Sequence, residues 1–479
     1  MLKNKSNKLF TIGILVIGII AAVILFSALI TRGYFKSRSF IGGDEPHYVM
    51  MVDSLLKDKD FNLKNDYELS RSIQYYGEEL FPHLAPIIDY KNSNNWQSIH
   101  TIGLPLLMYV PYKIAGVLGV RIFLIILQLS TIIVFYFILK KYIKDKIKVL
   151  IGLLLLISCS LFWQNLGGIF PDLLLVLFVG LSILLFGKKS ILQNIELTIV
   201  VLIASITHSK AIALLIPIYI AHVLYLIKDL GIVSVLRHYW ASFGLLILGF
   251  TAYAIFLLNN YGVFLPSQLY GEKGQLFSAN MYFNLLAILF DRVKGLIVYY
   301  PILLISGPYL YRAFTSSWLA FKNIIKNKKI NKENYLLVSI IIGLFILGLT
   351  QLGFDDWSGS FSPNGRYMLV FIFMIIFLIA KYINLKNVFE KIILALFLSF
   401  NFIVTFLTVS RIDVYFDTGK ESFLSQQLLL NSSLPLFSLS VKNNDLEKII
   451  YSSLILLIVI LFNLALINLY DFKSKLKNE

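Results

Sequence analysis

Long apolar runs separated by short polar links organise the chain. Runs near 9–31, 119–139, 149–167, 169–187, 193–208, 211–227, 239–258, 293–312, 334–354, 366–383, 388–409 and 448–470 approach the length that crosses a bilayer core. They predict an all-α polytopic membrane protein with about twelve transmembrane helices. The stretch 104–118 is apolar too, but it is short and is interrupted by Pro105, Pro111 and Lys113. It predicts a helix at the membrane interface rather than a span. The first run is too long for the core of a typical signal peptide, and no A-x-A-like site follows it. It therefore predicts a retained first span.

Charge orients this threading. Lysines cluster at Lys3, Lys5 and Lys8, at Lys140 to Lys148, at Lys188 and Lys189, at Lys322 to Lys332 and at Lys473 to Lys477, and Arg237 precedes the seventh run. With twelve spans all of these fall on one side, the cytoplasmic side. The net charge of +16 is thereby accounted for without a nucleic-acid partner. The long links, about 32–118, 259–292 and 411–447, then lie outside. Composition agrees: 58% of the 479 residues are hydrophobic and 15% are charged. The single cysteine, Cys159, sits in an apolar run and points to neither a disulfide within the chain nor a cysteine metal site.

The polar exceptions gather at the predicted outer face. In "GGDEPHYVMM", Pro46 suits the first turn of a helix, and Tyr48, Met51, Val52, Leu55 and Leu56 follow at helical spacing. This predicts a short amphipathic helix on the membrane surface, with Asp44 or Glu45 at its N-cap. Asp44 has two readings there: a cap, or an ionised general base for an acceptor hydroxyl. Arg366, in "FSPNGRYMLV", opens a late span; it is either an anion-binding guanidinium or a snorkelling anchor. Lys210, in "THSKAIALL", is a phosphate ligand or an interfacial anchor. Asp172, in "GGIFPDLLL", is a helix cap or a substrate or metal ligand. Asp355-Asp356-Trp357 reads as a solvated loop with an interfacial tryptophan. The tract "GKESFLSQQLLLNSS" suggests no function.

His47, His83 and His100 share the first outer loop with the carboxylates, and with Asp44 they are candidates for a divalent metal. No pair has i,i+4 spacing, so hydrogen-bonded loop histidines are the competing reading, and no other cofactor is implied. His100 precedes the interfacial helix and is placed to contact a substrate.

No nucleotide-binding, zincin or serine-hydrolase motif is present. An outward-facing enzyme without a nucleotide site would most naturally take an activated substrate from the membrane, such as a lipid carrier with a phosphate-linked group. The segments "GDEPHY", "SLLKDKDFNL", "HTIGLPLLMYVP", "FPDLLLVLF" and "ITHSKAIALLIP" resemble the GT-C membrane glycosyltransferases. The similarity is greatest to the branch of protein O-mannosyltransferases and lipid A aminoarabinose transferases, often grouped as family 39. The resemblance covers roughly residues 1–230 and beyond that rests on "GRYM", Gly365 to Met368.

It implies a GT-C-like fold with a catalytic membrane module over 1–230, including the outer loop 32–118, and a C-terminal membrane region over 231–479. It implies inverting sugar transfer from a polyprenyl-phosphate donor to a glycan, lipid or protein acceptor on the extracytoplasmic face of the cell membrane. Asp44 would act as base with Glu45 in support. Arg366, Lys210, His47, His100, Asp172 and Tyr367 are candidate substrate-binding residues, the two cations by position rather than by motif. "HTIGLP" lacks the double proline of the O-mannosyltransferases, and no second soluble domain follows, so donor sugar and acceptor do not carry over. A transporter or flippase for a lipid-linked glycan, or a non-catalytic assembly partner, are the alternative readings.

Overall fold

The computed structural model describes residues 2–32, 43–68, 80–85, 94–266, 268–269, 281–290, 295–326, 331–353, 366–409 and 446–475. Asp355-Asp356-Trp357, Pro363-Asn364-Gly365, the tract 419–433, and Lys328, Lys329 and Lys477 lie outside them, as does nearly all of the predicted outer loop 411–447. The described residues are mainly helical, with isolated β-bridges at Asn62–Gln97 and Leu84–Ser98 and no longer strand among them.

Six helices among them are long and apolar enough to cross a membrane: Leu9–Thr31, Gly103–Tyr142, Lys210–Leu230, Ile232–Tyr261, Lys332–Leu352 and Val388–Val409. Asp172–Leu185, Ile191–Thr207 and Ser453–Ile467 are apolar but shorter. The chain is therefore a helical, multi-pass membrane protein. Large side chains on the outside of these helices, such as Ile19, Phe26, Leu248 and Phe345, are exposed, as lipid-facing residues must be.

Two of the expected spans are broken helices. The run 149–167 divides into Lys146–Ile157 and Ser160–Gln164. At the break Thr405 Oγ1 donates to the Ser158 carbonyl at 2.8 Å, and the Tyr299 carbonyl accepts from Ser160 Oγ. The run 293–312 is not one helix either. Leu296–Tyr299 gives way to a 3₁₀ turn over Pro301–Ile305, and the next helix is Gly307–Ile325. Pro301 and Pro308 carry no N–H, so the backbone cannot run on unbroken. Side-chain amides repair it: Asn463 accepts from the Gly307 N–H at 3.1 Å and donates to the Leu304 carbonyl at 2.9 Å, while Asn401 accepts from Ile302 at 3.3 Å. Non-helical backbone at membrane depth survives only with such partners.

The stretch 104–118 joins the following span as Gly103–Tyr142, but the helix kinks at Ala115 (φ −144°, ψ 27°) and Gly116 (φ 57°, ψ −143°). Gly116 takes the left-handed φ that a side chain would resist. The break separates the proline-containing segment from the span, where the sequence pattern changes.

The helix Glu45–Lys57 forms as predicted, with Pro46 in its first turn, but its setting differs from the expected surface helix. Every residue from Glu45 to Ser54 is buried. Its charges face protein: Asp53 pairs with Lys57 at 2.7 Å and accepts from Tyr112 Oη at 3.0 Å. Glu45 is 0% exposed and meets Arg121, 1% exposed, through two bonds of 2.6 and 2.8 Å. Glu45 also accepts from the Ile169 N–H at 2.8 Å, and Arg121 donates to the Gly167 carbonyl. One ion pair thus ties this helix to the start of the long span and to the turn before Asp172–Leu185.

A second tie joins the His100 segment to the turn after Ile191–Thr207. Thr101 Oγ1 donates to the Thr207 carbonyl at 2.6 Å. Beside it the backbones approach so closely that a Cβ on Gly103 would stand 2.4 Å from Thr207 N and 2.5 Å from the Ile206 carbonyl carbon.

Two lysines, Lys141 and Lys148, sit at helix ends remote from Asp172 and Arg366. Asp172 opens a helix at whose far end Lys141 Nζ donates to the carbonyls of Leu184 (2.7 Å) and Phe186 (3.3 Å). Lys148 reaches the Lys381 carbonyl at 3.3 Å, likewise the end of Leu369–Tyr382 remote from Arg366.

Two stability predictions follow from these ties. Glu45→Ala leaves the Arg121 charge buried and unpaired, so it should cost roughly 3–5 kcal/mol in detergent-phase unfolding. A loss below about 1 kcal/mol would show that the pair does not hold the helix. Gly103→Ala should lower the unfolding midpoint by the equivalent of about 1–3 kcal/mol, because the neighbouring atoms are backbone and cannot step aside.

Candidate functional site

Asp44 occupies the N-cap position of Glu45–Lys57, yet its side chain makes no capping bond. It turns instead to Arg366, whose Nη2 donates to Oδ2 in a very short contact. The cap reading therefore gives way to a long-range ion pair across 322 positions of sequence. Asp44 keeps 20% of its side chain exposed and Arg366 keeps 4%, so the carboxylate can be reached. Burial alone would raise the Asp44 carboxyl; the Arg366 guanidinium outweighs it and holds the group well below the usual carboxylate range.

Arg366 begins a short 3₁₀ turn, Arg366–Met368, ahead of the helix Leu369–Tyr382. Its Nη2 also donates to Tyr367 Oη at 2.9 Å, and its guanidinium lies over the rings of Phe170 (4.5 Å) and Tyr367 (4.7 Å). Lys210 Nζ sits 3.4 Å from the Tyr367 ring centroid, which places both cations against one aromatic side chain. Asp172, in the first turn of its helix, faces Arg366 Nε at 4.0 Å and His208 Nε2 at 3.8 Å. Both are too long for hydrogen bonds. Arg366 Nε has no hydrogen-bond acceptor among the described residues and remains a buried donor at the site.

His208 is oriented by the chain itself: Lys210 N–H donates to its Nδ1 at 3.1 Å, which leaves Nε2 as the protonated nitrogen towards Asp172. Burial lowers His208 to about 4, against the opposing pull of Asp172.

The other histidines form the adjoining wall. His100 Nε2 and His83 Nδ1 are 3.1 Å apart, and the His100 ring lies 4.6 Å from that of Tyr48. His47 Nδ1 bonds Tyr67 Oη at 2.8 Å, and its ring is 5.0 Å from His83 and 5.9 Å from His100. Burial pushes His47 down to about 3 and His100 well below its ordinary value, so both are neutral at pH 7. One ligand atom from each of Asp44, His83 and His100 lies within 4.8 Å of the others, a grouping of metal-ligand type among the described residues.

Of the residues singled out in the sequence, Asp44, Arg366, Tyr367, Lys210, Asp172, His47, His83 and His100 come together here. Glu45 does not join them. It is sealed against Arg121 and positions Asp44 through the backbone. Three contributors were not picked out as site residues: His208, Phe170 and, behind Glu45, Arg121. His208 and Arg121 carried a signal, being ionisable residues at the edge of apolar runs. Phe170 carried none, because an aromatic in an apolar run looks like any other.

The arrangement suits an anion. Two cations, a tyrosine hydroxyl and an unengaged guanidinium N–H face a region also bordered by an ionised carboxylate. No known family's sequence model matches this chain, and no curated protein and no solved structure matches it.

Proposed function

We propose that this protein is an integral membrane glycosyltransferase that takes a sugar from a polyprenyl-phosphate donor. The observation that carries the reading is the convergence of Asp44 with Arg366, Tyr367 and Lys210, from three distant parts of the chain. A proton acceptor beside a pair of phosphate-binding cations is what displacement at a phosphate-linked carbon requires. The resemblance of the first half of the chain to GT-C enzymes supports the same reading. With it go a GT-C-like fold of about twelve spans, and a site on the extracytoplasmic side of the cell membrane, opposite the lysine-rich helix ends.

In this mechanism Asp44 takes the proton of an acceptor hydroxyl as its oxygen attacks the anomeric carbon from the face opposite the phosphate. The carbon–oxygen bond to phosphate breaks, and the electron pair leaves on the lipid phosphate, which Arg366 and Lys210 stabilise. The stereochemistry inverts. Arg366 links the two halves of the reaction. While it is spent on Asp44 it makes that carboxylate a weak base. A donor phosphate that draws the guanidinium towards itself restores the basicity of Asp44 at the moment it is needed.

The test is incubation of purified protein with labelled polyprenyl-phosphate sugars and an acceptor mixture, reading release of lipid phosphate. Asp44→Asn should reduce the rate by about 10²–10⁴. Transport of the intact lipid-linked sugar across vesicles, without release of the carrier, would replace this reading. Arg366→Lys keeps the charge but loses the two-pronged donor, and should cost about 10²–10³ in turnover. An Arg366→Lys protein with unchanged rate would remove the arginine from the chemistry.

A further inference from the structure

We propose that Asp44, His83 and His100 bind one divalent transition-metal ion. The three ligand atoms, two imidazole nitrogens and a carboxylate oxygen, lie within 4.8 Å of one another. At Zn–N and Zn–O lengths near 2.0–2.2 Å, neighbouring ligands of a tetrahedral ion stand about 3.3–3.5 Å apart. His83 Nδ1 and His100 Nε2, at 3.1 Å, are already at such an edge. Shifts of about 1 Å in the side chains would bring the carboxylate oxygen to the same spacing.

The backbone under these side chains is fixed by other means. Leu84 and Ser98 form an antiparallel bridge, Ala85 N–H donates to the Gln97 carbonyl at 3.0 Å, and Ile99 N–H donates to the His83 carbonyl at 3.2 Å. His83 and His100 therefore flank one small paired segment. Tyr261 Oη secures it at the Ser98 carbonyl, 2.9 Å, and Thr101 secures its end at Thr207. Asp44 comes from a separate element, locked by Glu45 and Arg121. Two preorganised pieces thus present the donor set, a condition that metal sites require.

A carboxylate has about four lone-pair positions, so Asp44 can accept Arg366 on Oδ2 and still ligate a cation. Asp172, 4.0 Å from Arg366 Nε, offsets part of the added positive charge. Two nitrogens and one oxygen select a first-row transition ion such as Zn²⁺ over Mg²⁺ or Ca²⁺, which prefer oxygen-only shells. Three protein ligands leave a fourth position open, the pattern of sites that act on a substrate. An acceptor hydroxyl on that position would lose its proton more easily. That last consequence rests on the glycosyltransferase reading; the binding does not.

The test uses the full chain, purified in detergent without a polyhistidine tag, stripped with chelator and titrated with Zn²⁺ alone. The expected result is one ion per chain by elemental analysis and calorimetry, with no uptake of Mg²⁺. His83→Gln and His100→Gln should each weaken binding at least tenfold, whereas His238→Gln, at an exposed and distant histidine, should not. Wild-type protein that takes up no Zn²⁺, or uptake that His83→Gln and His100→Gln leave unchanged, would overturn the proposal and leave a hydrogen-bonded histidine cluster. Should either variant fail to fold, Co²⁺ added to the wild-type protein decides. Intense visible ligand-field bands support a four-coordinate nitrogen–oxygen site, and their absence refutes it. Neither readout depends on sugar transfer, so a failed metal site and a failed glycosyltransferase assignment are told apart.

Discussion

A charge sealed inside protein must be neutralised where it stands, and the pairing of Glu45 with Arg121 does this at the junction of three elements. The pair fixes the start of the buried helix against the long kinked span and against the Gly167–Ile169 turn that leads into Asp172. Because Asp44 is the next residue along the backbone, wherever Glu45 is held, Asp44 is aimed. Arg366 then meets a carboxylate already in position. The site therefore depends on an interaction in which none of its own cations takes part.

Two adjacent acids thus do different work. Successive helical residues point about 100° apart around the axis, so at a helix start one carboxylate can face inward and its neighbour outward. Glu45 accepts two guanidinium bonds and a backbone N–H and has no exposure left. Asp44 stays partly exposed, and its carboxylate serves Arg366 rather than the helix end. A cap bond would have added about 1 kcal/mol to the helix; the fold forgoes it and places the charge beside Arg366.

The membrane setting explains the irregular helices as well. In lipid a broken helix leaves backbone groups with no water to turn to, so each break must bring its own partners. Asn463, Asn401, Thr405 and Ser160 supply them. The Gly167–Ile169 link, between Ser160–Gln164 and Asp172–Leu185, is partnered in the same way: Gln128 accepts from the Gly167 N–H and Glu45 from the Ile169 N–H.

Hydropathy carried the membrane class and the helical architecture, because solvation is a local property that each residue reports for itself. Local rules also foretold the helix after Pro46. They could not foresee that the Pro46 helix would be buried, since its few polar residues looked like a solvated face until Arg121 and Tyr112 supplied partners. Nor could spacing separate Asp44 the cap from Asp44 the ion-pair partner, or bring His83 to His100, because those relations join residues from 17 to 322 positions apart. The sequence by itself determined that this is a helical membrane protein with a few costly polar residues. Only the tertiary structure decided which of them meet, because a charge in a low-dielectric interior is satisfied by whatever the fold brings beside it.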